Sequence, residues 1–290
     1  MGCEAAKGRG VYHSPMEPSD HVADRIRIVL VGTQHPGNIG SAARAMKTMG
    51  LARLVLVAPE KAPDAGSHAL AAGADDLLAG ATTVATLAEA VADCTHVLGC
   101  TARSRRVALE ELAPREAAAR TVAAAAAGAE TALVFGRERT GLDNEELQLC
   151  HAAVHIPADP AYSSLNLAAA VQVVAYETRL AMLEHGVAIG SPHGAETGAN
   201  GGDQATHAQL EGFFAQLAET LDAIDFHKGR APESALRKLR RLYLRAAPTE
   251  AEVRLLRGVL ADAQRMARLA GQRAAGNAVG GPVREPPELR

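Results

Sequence analysis

Apolar residues run along this chain in two registers. Short unbroken runs, IRIVLV at 26–31, LVLV at 54–57, VLGC at 97–100, ALVF at 132–135 and VHIP at 154–157, alternate with stretches whose apolar positions recur at helical spacing. Continuous apolar runs are strands buried on both faces, and their alternation with helices predicts an α/β fold with a parallel sheet covered on both sides. The first helix has Asn38 placed as its cap, an apolar face of Ile39, Ala42, Ala43, Met46 and Met49, and Gly50 at its end. A second is predicted over 64–72, and Thr86 with Glu89 opens another by the capping-box pattern. Pro114 sits well at the start of an alanine-rich helix reaching 127, and Asp143 with Glu146 forms a further capping box. The helix after Asn166 carries Leu167, Val171, Val174 and Ala175 on one face and is expected to stop at Gly186.

Past that point the pattern changes. Residues 186–206, GVAIGSPHGAETGANGGDQAT, have the composition of a flexible linker. Residues 207–271 read as helical throughout, with Leu210, Phe213, Phe214, Leu217 and Leu221 forming one stripe and Leu236, Leu239, Leu242 and Tyr243 another. Within 226–245, Lys228, Arg230, Arg237, Lys238, Arg240, Arg241 and Arg245 stand against a single acid, Glu233. The expected organisation is a disordered lead-in (1–24), an α/β domain (25–185), a linker (186–206), a small all-α extension (207–271) and a disordered tail (272–290).

Composition narrows the function. At 290 residues, 30.1 kDa and 48% hydrophobic content, the chain suits one large domain plus a small one. No apolar run reaches membrane-span length, and 1–20 lack a signal-peptide core, so cytoplasm is the expected compartment. Cys3, Cys94, Cys100 and Cys150 form no CxxC and no zinc spacing, which points to reduced thiols and no metal. A net charge of −3 means that any nucleic-acid surface must be local. With four Tyr, four Phe and no Trp, stacking of bases on rows of rings is not available; RNA recognition would work through backbone charge and shape.

Two strand-to-helix turns carry the candidate chemistry. In the loop after the first strand, Gly32 and Gly37 have P-loop spacing, but Asn38-Ile39 replaces the lysine and hydroxyl that hold phosphate and magnesium. Only Gly37 and Gly40 fit the latter half of a dinucleotide fingerprint, and the glycine loop of classical methyltransferases is missing. The loop does offer Asn38 at a helix start, with Arg44 and Lys47 on one flank, a pair able to hold an RNA phosphate or simply to be solvated. In the later turn, Glu138 lies between Arg137 and Arg139, and Ser163, Ser164 and Asn166 have the character of helix caps. Patterning alone supports a small-ligand site built from loops at strand ends and leaves the ligand unnamed.

Three segments together are more specific. GTQHPGNIGSAARAMKTMGL from Gly32, LVFGRERTGLDNEEL from Leu133 and YSSLNLAAAVQVVAYE from Tyr162 resemble the three motifs of the SpoU (TrmH-like) branch of the SPOUT RNA methyltransferases, and most closely the TrmJ type. The likeness is almost continuous over 26–184, takes in the Cys100-Thr101-Ala102-Arg103-Ser104-Arg105 segment, and continues more loosely into LRKLRRL at 236–242. It implies a SPOUT fold with a C-terminal trefoil knot, an exception to unknotted chains. It also implies S-adenosyl-L-methionine held by Cys100, Thr101, Ala102, Gly136, Ile156, Ser163, Ser164 and Leu165, and a homodimer sharing its active sites. By motif, Arg44, Glu138, Ser164 and Asn166 are the catalytic set, Arg44 being lent by the partner chain. Asn38, Lys47, Arg105, Arg237, Lys238, Arg240 and Arg241 would bind RNA. The implied activity is 2′-O-methylation of cytidine or uridine at position thirty-two of the tRNA anticodon loop. The alternatives are a ribosomal or wobble-nucleotide target, or a non-catalytic RNA-binding factor.

Overall fold

The computed structural model describes residues 22–102, 109–188, 204–228 and 231–279. All five apolar runs supply strands and two more polar segments join them: β1 (Ile26–Val31), β2 (Arg53–Val57), β3 (Thr82–Val84), β4 (His96–Cys100), β5 (Glu110–Leu112), β6 (Thr131–Phe135) and β7 (Ala152–Val154). They pair in parallel in the order β3-β2-β1-β6-β4-β7-β5. β3 and β5 escape the apolar pattern because they are the two edges, where residues such as Thr82 and Glu110 stay exposed. β7 stops at Val154, so Ile156 and Pro157 lie in the loop beyond it; Pro157 has no N–H to extend a ladder.

β1 and β6 are buried at every position. Alternation along the strands divides the core into two faces. Ile28, Leu30, Leu54, Leu56, Leu133 and Phe135 pack with α1 (Pro36–Thr48), α5 (Pro114–Ala126) and α7 (Leu167–Ala188). Val29, Val31, Val55, Val57 and Val134 pack on the opposite face with α4 (Leu87–Ala90), Cys94 and α6 (Asn144–Gln148). Two short helices, α2 (Ala65–Ala71) and α3 (Asp75–Ala79), complete the α1 side. Burial first lowers, then bonding restores, the charge preference of Arg27: its guanidinium donates to Ala90 O at 2.9 Å, to Asp93 at 2.7 and 2.6 Å and to Glu130 at 3.0 Å. Its pKa ends above the ordinary arginine value.

The local signals mostly hold. Asp64 with Ser67 and Asp143 with Glu146 make reciprocal capping boxes, and Thr86 accepts from the Glu89 amide, while the Glu89 carboxylate accepts from Ala85 N instead of closing the box. Gly50 closes α1 at φ +78°, with the Leu51 amide donating to Met46 O at 3.0 Å. Asn38, however, is not the cap. α1 starts two residues earlier at Pro36, whose fixed φ suits a first helical position, and His35 is the cap residue. Nor does α7 end at Gly186; it runs to Ala188, since a helical glycine costs only about 1 kcal/mol.

The extension is three helices rather than one continuous stretch: α8 (His207–Ala223), α9 (Pro232–Ala246) and α10 (Glu250–Val279). Prolines set the breaks, with Pro232 opening α9 and Pro248 following a left-handed Ala247. Leu210, Phe213, Leu217, Leu244 and Val253 form its core. α10 carries helix through 272–279, and 22–24 form a helical turn; the rest of the lead-in and tail, and most of the linker, lie outside the described residues. The last linker residues are already ordered against the extension, with Ala205 N donating to Pro248 O at 2.9 Å. The extension is fastened to the α/β domain where His207 N and Ala208 N donate to Cys94 O and Ala92 O, each at 2.9 Å.

Candidate active site

The carboxyl ends of β4, β6 and β7 open into one cleft enclosing about 870 Å³, mouth included. Cys100, Thr101 and Ala102 line it from the end of β4, Gly136 and Glu138 from the turn after β6, and Ile156, Ser163, Ser164 and Leu165 from the loop after β7. The structure therefore brings all eight residues that the motifs gave to a cofactor into the lining of one cleft. The Thr101 amide donates to Val154 O at 2.9 Å, holding the β4 turn to the end of β7. The Gly136 turn is closed by Gly141 N donating to Arg137 O at 2.8 Å. A Cβ at Gly136 would lie 2.2 Å from the backbone of Gly141 and Leu142, so only glycine fits. Apolar side chains (Phe135, Ile156, Leu165, Leu167) and polar ones (Glu138, Thr140, Ser164) line the cleft together. Such walls suit a ligand with a flat apolar part and several polar groups, which fits an adenosine-bearing cofactor.

A polar relay crosses the rim. Asn166 Nδ2 donates to Asn38 Oδ1 at 3.0 Å, and Asn38 Nδ2 donates to Glu138 Oε1 at 2.9 Å. Glu138 also accepts from Gln34 N at 2.9 Å and His35 N at 3.1 Å. Partial burial pushes the Glu138 carboxyl up, but these hydrogen bonds outweigh it and hold it below the ordinary carboxylate range. Glu138 is thus ionised and fully engaged. Asn166 does cap α7, accepting from Ala168 N at 2.9 Å, and the same side chain serves the relay.

Arg137 and Glu146 brace the turn from behind through two contacts of 3.0 Å. That bond raises the Arg137 pKa despite burial. Gly32, at φ +58°, lets Arg137 pass; a Cβ there would sit 2.7 Å from its Nε. Arg139 was not singled out by sequence reasoning, yet it lines the cleft as an exposed cation with no hydrogen bond or ion pair among the described residues. Its only signal in the sequence is its place between Glu138 and Gly141.

The remaining candidates scatter. Arg44 is exposed on α1, outside the cleft of its own chain, with no hydrogen bond or ion pair among the described residues. Lys47 is exposed, and its ammonium donates to Gly73 O at 2.9 Å and Asp76 at 2.7 Å. Arg240 is held far more deeply, and its place is a correction. It is mostly buried, ion-paired with Glu211, placed 4.6 Å over the Phe214 ring, and its Nε donates to Gln148 O at 3.1 Å. Burial pushes its pKa down to about 10. It joins the extension to α6 and offers nothing to a phosphate. Arg237 and Lys238 are exposed and Arg241 half-buried on α9; Arg105 lies outside the described residues. Cys94, Cys100 and Cys150 are free thiols whose burial pushes each pKa up to about 12. Among the described residues no group of three His, Cys, Asp or Glu could hold a metal, and no helix is long and apolar enough to cross a membrane.

Comparison with known proteins matches residues 25–176 to the SpoU rRNA Methylase family and residues 208–272 to the C-terminal domain of tRNA methyltransferase TrmJ. A Pseudomonas aeruginosa tRNA (cytidine/uridine/adenosine-2′-O-)-methyltransferase TrmJ is 49% identical over 84% of this chain and 96% of its own length. The Escherichia coli K12 tRNA (cytidine/uridine-2′-O-)-methyltransferase TrmJ is 50% identical over 82% and 94%. Among solved structures, TrmJ from Z. mobilis ZM4 superposes with a TM-score of 0.69 at 34% identity, covering 81% of this chain and 97% of that one.

Proposed function

The chain belongs to the SpoU rRNA methylase family and carries the TrmJ-type C-terminal domain; on that basis we propose that it moves a methyl group from S-adenosyl-L-methionine to a ribose 2′-hydroxyl of tRNA. It is a tRNA (cytidine/uridine-2′-O-)-methyltransferase, the activity for which its Escherichia coli relative is named. The target is the nucleotide at position thirty-two of the anticodon loop. The protein works in the cytoplasm as a homodimer, and its catalytic domain carries the family's trefoil knot. One observation carries the reading: the relay Asn166–Asn38–Glu138 ties the three motifs together at the rim of the one cleft that all the cofactor candidates line.

When bound, S-adenosyl-L-methionine supplies a sulfonium methyl open to attack by an oxygen. Thr101, Ala102, Gly136, Ile156, Ser163 and Leu165 hold it through the backbone and apolar walls of the cleft. Ser164 and Asn166 orient the ribose. Glu138 acts as a positioning residue: its oxygens are occupied by Gln34, His35 and Asn38, so it fixes the start of α1. Arg44 of the partner subunit grips the neighbouring phosphate and aligns the hydroxyl. A guanidinium retains its proton, so Arg44 acts through position and charge. Positioning can supply roughly 7–11 kcal/mol, against about 3–5 kcal/mol for a general base.

The test is mapping of 2′-O-methylated nucleotides by RNA mass spectrometry in a strain lacking the protein. Loss of the mark at position thirty-two, restored by the gene, is expected. An intact mark there, with a loss at the wobble nucleotide or in ribosomal RNA, overturns the target. α8, α9 and α10 favour tRNA, since they match the domain specific to the TrmJ type.

A further inference from the structure

The cleft holds one charge that the relay leaves unused. Three charged side chains line it in succession along the turn after β6: Arg137, Glu138 and Arg139. Arg137 is committed to Glu146 through two contacts of 3.0 Å. Glu138 turns both oxygens to Gln34, His35 and Asn38. Arg139 is exposed and has no hydrogen bond or ion pair among the described residues, although a carboxylate is its immediate neighbour in the chain. The turn that carries it is pinned on both sides. Arg137 and Gly141 form an antiparallel bridge closed at 2.8 Å, and Arg139 stands midway between them in sequence.

An unpaired guanidinium in a cleft selects an anion, and its planar fork suits a carboxylate met by two parallel N–H groups. Of the charged groups on S-adenosyl-L-methionine, the sulfonium and the α-ammonium are positive. The α-carboxylate, at the end of the methionyl arm, is the one anion, and the described lining offers it no other free cation. An RNA phosphate is the competing anion. In the reading above, however, phosphate already has its partner in Arg44, which lies on α1 outside the cleft of its own chain. The carboxylate has none. Arg139 also shares its turn with Gly136 and lines the same cleft as Thr101, Ala102, Ser163 and Leu165, which hold the cofactor in that reading.

We propose that Arg139 is a cofactor-binding residue whose guanidinium takes the α-carboxylate of S-adenosyl-L-methionine. This rests on the methyltransferase reading above and names the charge that backbone groups and apolar walls do not supply. Arg139 holds the methionyl end, while the apolar side chains of the cleft take the flat adenine part. S-adenosyl-L-homocysteine keeps the same carboxylate, so Arg139 holds product as firmly as substrate. A contact made equally before and after transfer lowers KM for the cofactor and leaves the barrier of the bound complex unchanged.

The test is calorimetry on the full-length protein with S-adenosyl-L-methionine, S-adenosyl-L-homocysteine and decarboxylated S-adenosylmethionine, which lacks only the carboxylate. Arg139→Gln should bind the first two about 5- to 30-fold more weakly, between the worth of an exposed ion pair and that of a charged hydrogen bond. Wild type should lose a similar factor on the decarboxylated ligand. The variant should bind that ligand about as well as S-adenosyl-L-methionine, because removing one partner makes the other indifferent. Arg139→Lys, which keeps the charge and loses the fork, should fall between wild type and Arg139→Gln. In turnover on tRNA, Arg139→Gln should raise KM for the cofactor and keep kcat within about twofold. An equal loss on carboxylated and decarboxylated ligands marks a distorted turn and overturns the assignment. Unchanged cofactor affinity with weaker tRNA binding overturns it in favour of a phosphate. A wild-type protein that binds none of the three ligands overturns the methyltransferase reading; wild type and Arg139→Gln binding S-adenosyl-L-methionine equally well overturn the carboxylate contact alone.

Discussion

Asn166 Nδ2 reaches Asn38 Oδ1 at 3.0 Å across 128 positions of sequence. Through Asn38 the contact continues to Glu138 and so to the amides of Gln34 and His35. Asn38 is bonded to both of its neighbours, Asn166 divides between Asn38 and the first amides of α7, and the sum fixes where α1 begins relative to the cleft.

Asn38→Ala should therefore slow methyl transfer by about 10- to 100-fold, because misplacement by an ångström costs that much, with cofactor affinity nearly unchanged. Asn38→Asp should be worse, since it sets a carboxylate against Glu138. Single-turnover rates with calorimetric cofactor binding check this; equal rates for the two variants would remove the electrostatic part of the argument.

Arg44→Ala should lose methyl transfer by more than about 100-fold and bind cofactor normally, because positioning of this kind carries the larger share of the barrier. Mixing tells more. In the homodimer proposed above, Arg44→Ala and Gly136→Ala chains should each be inactive alone, whereas a dimer holding one of each should have a single complete site. Co-refolded mixtures should recover about a quarter of wild-type activity, the share expected for random pairing in a twofold dimer. No recovery would place Arg44 in its own chain's site.

Two glycines should fail differently. At Gly136 an added Cβ meets the backbone of Gly141 and Leu142 at 2.2 Å, so Gly136→Ala should abolish cofactor binding by opening the turn. At Gly40 it meets Ser67 O at 2.0 Å, where α1 crosses α2. Gly40→Ala should cost about 1–3 kcal/mol of stability while residual folded protein still binds cofactor. Urea unfolding followed by calorimetry separates the two.

Stability should fall in mild acid. Burial pushes His151 and His207 down to about 4 and, aided by the nearby His151 and Arg120, His96 down to about 3. Unfolded histidine titrates near 6.5. The stabilisation is full above that value and is lost as pH falls from about 6.5 toward 4, where the unfolded chain takes protons the native one excludes. Each histidine contributes about 1.4 kcal/mol per pH unit in that window. Urea midpoints between pH 7.5 and 5 should show the slope, and His207→Leu should make it shallower by one histidine's share. A slope untouched by that change would clear His207 of the effect.

What the sequence determined by itself was most of what depends on residues within a turn or so of one another. Unbroken apolar runs became β1, β2, β4 and β6 because a strand buried on both faces has no polar position to give. Asp64, Thr86 and Asp143 capped helices because a short side chain reaches its own backbone three residues on. Glycine-bounded turns after strands marked the cleft, and motif resemblance, not periodicity, gave it a ligand. What only the tertiary structure decided was the fate of each polar side chain. Lys47, Lys238 and Arg240 look alike along a helix. One is tied to Asp76, one is left free in a groove, and one is sunk between Phe214 and the carbonyl of Gln148, 92 positions away. Asn38 lost its expected cap because Pro36 starts the helix earlier, and gained a place in the relay from partners 100 and 128 residues distant. A charge or an amide is satisfied by whatever the fold delivers to it, and that neighbour is written nowhere near it in the chain.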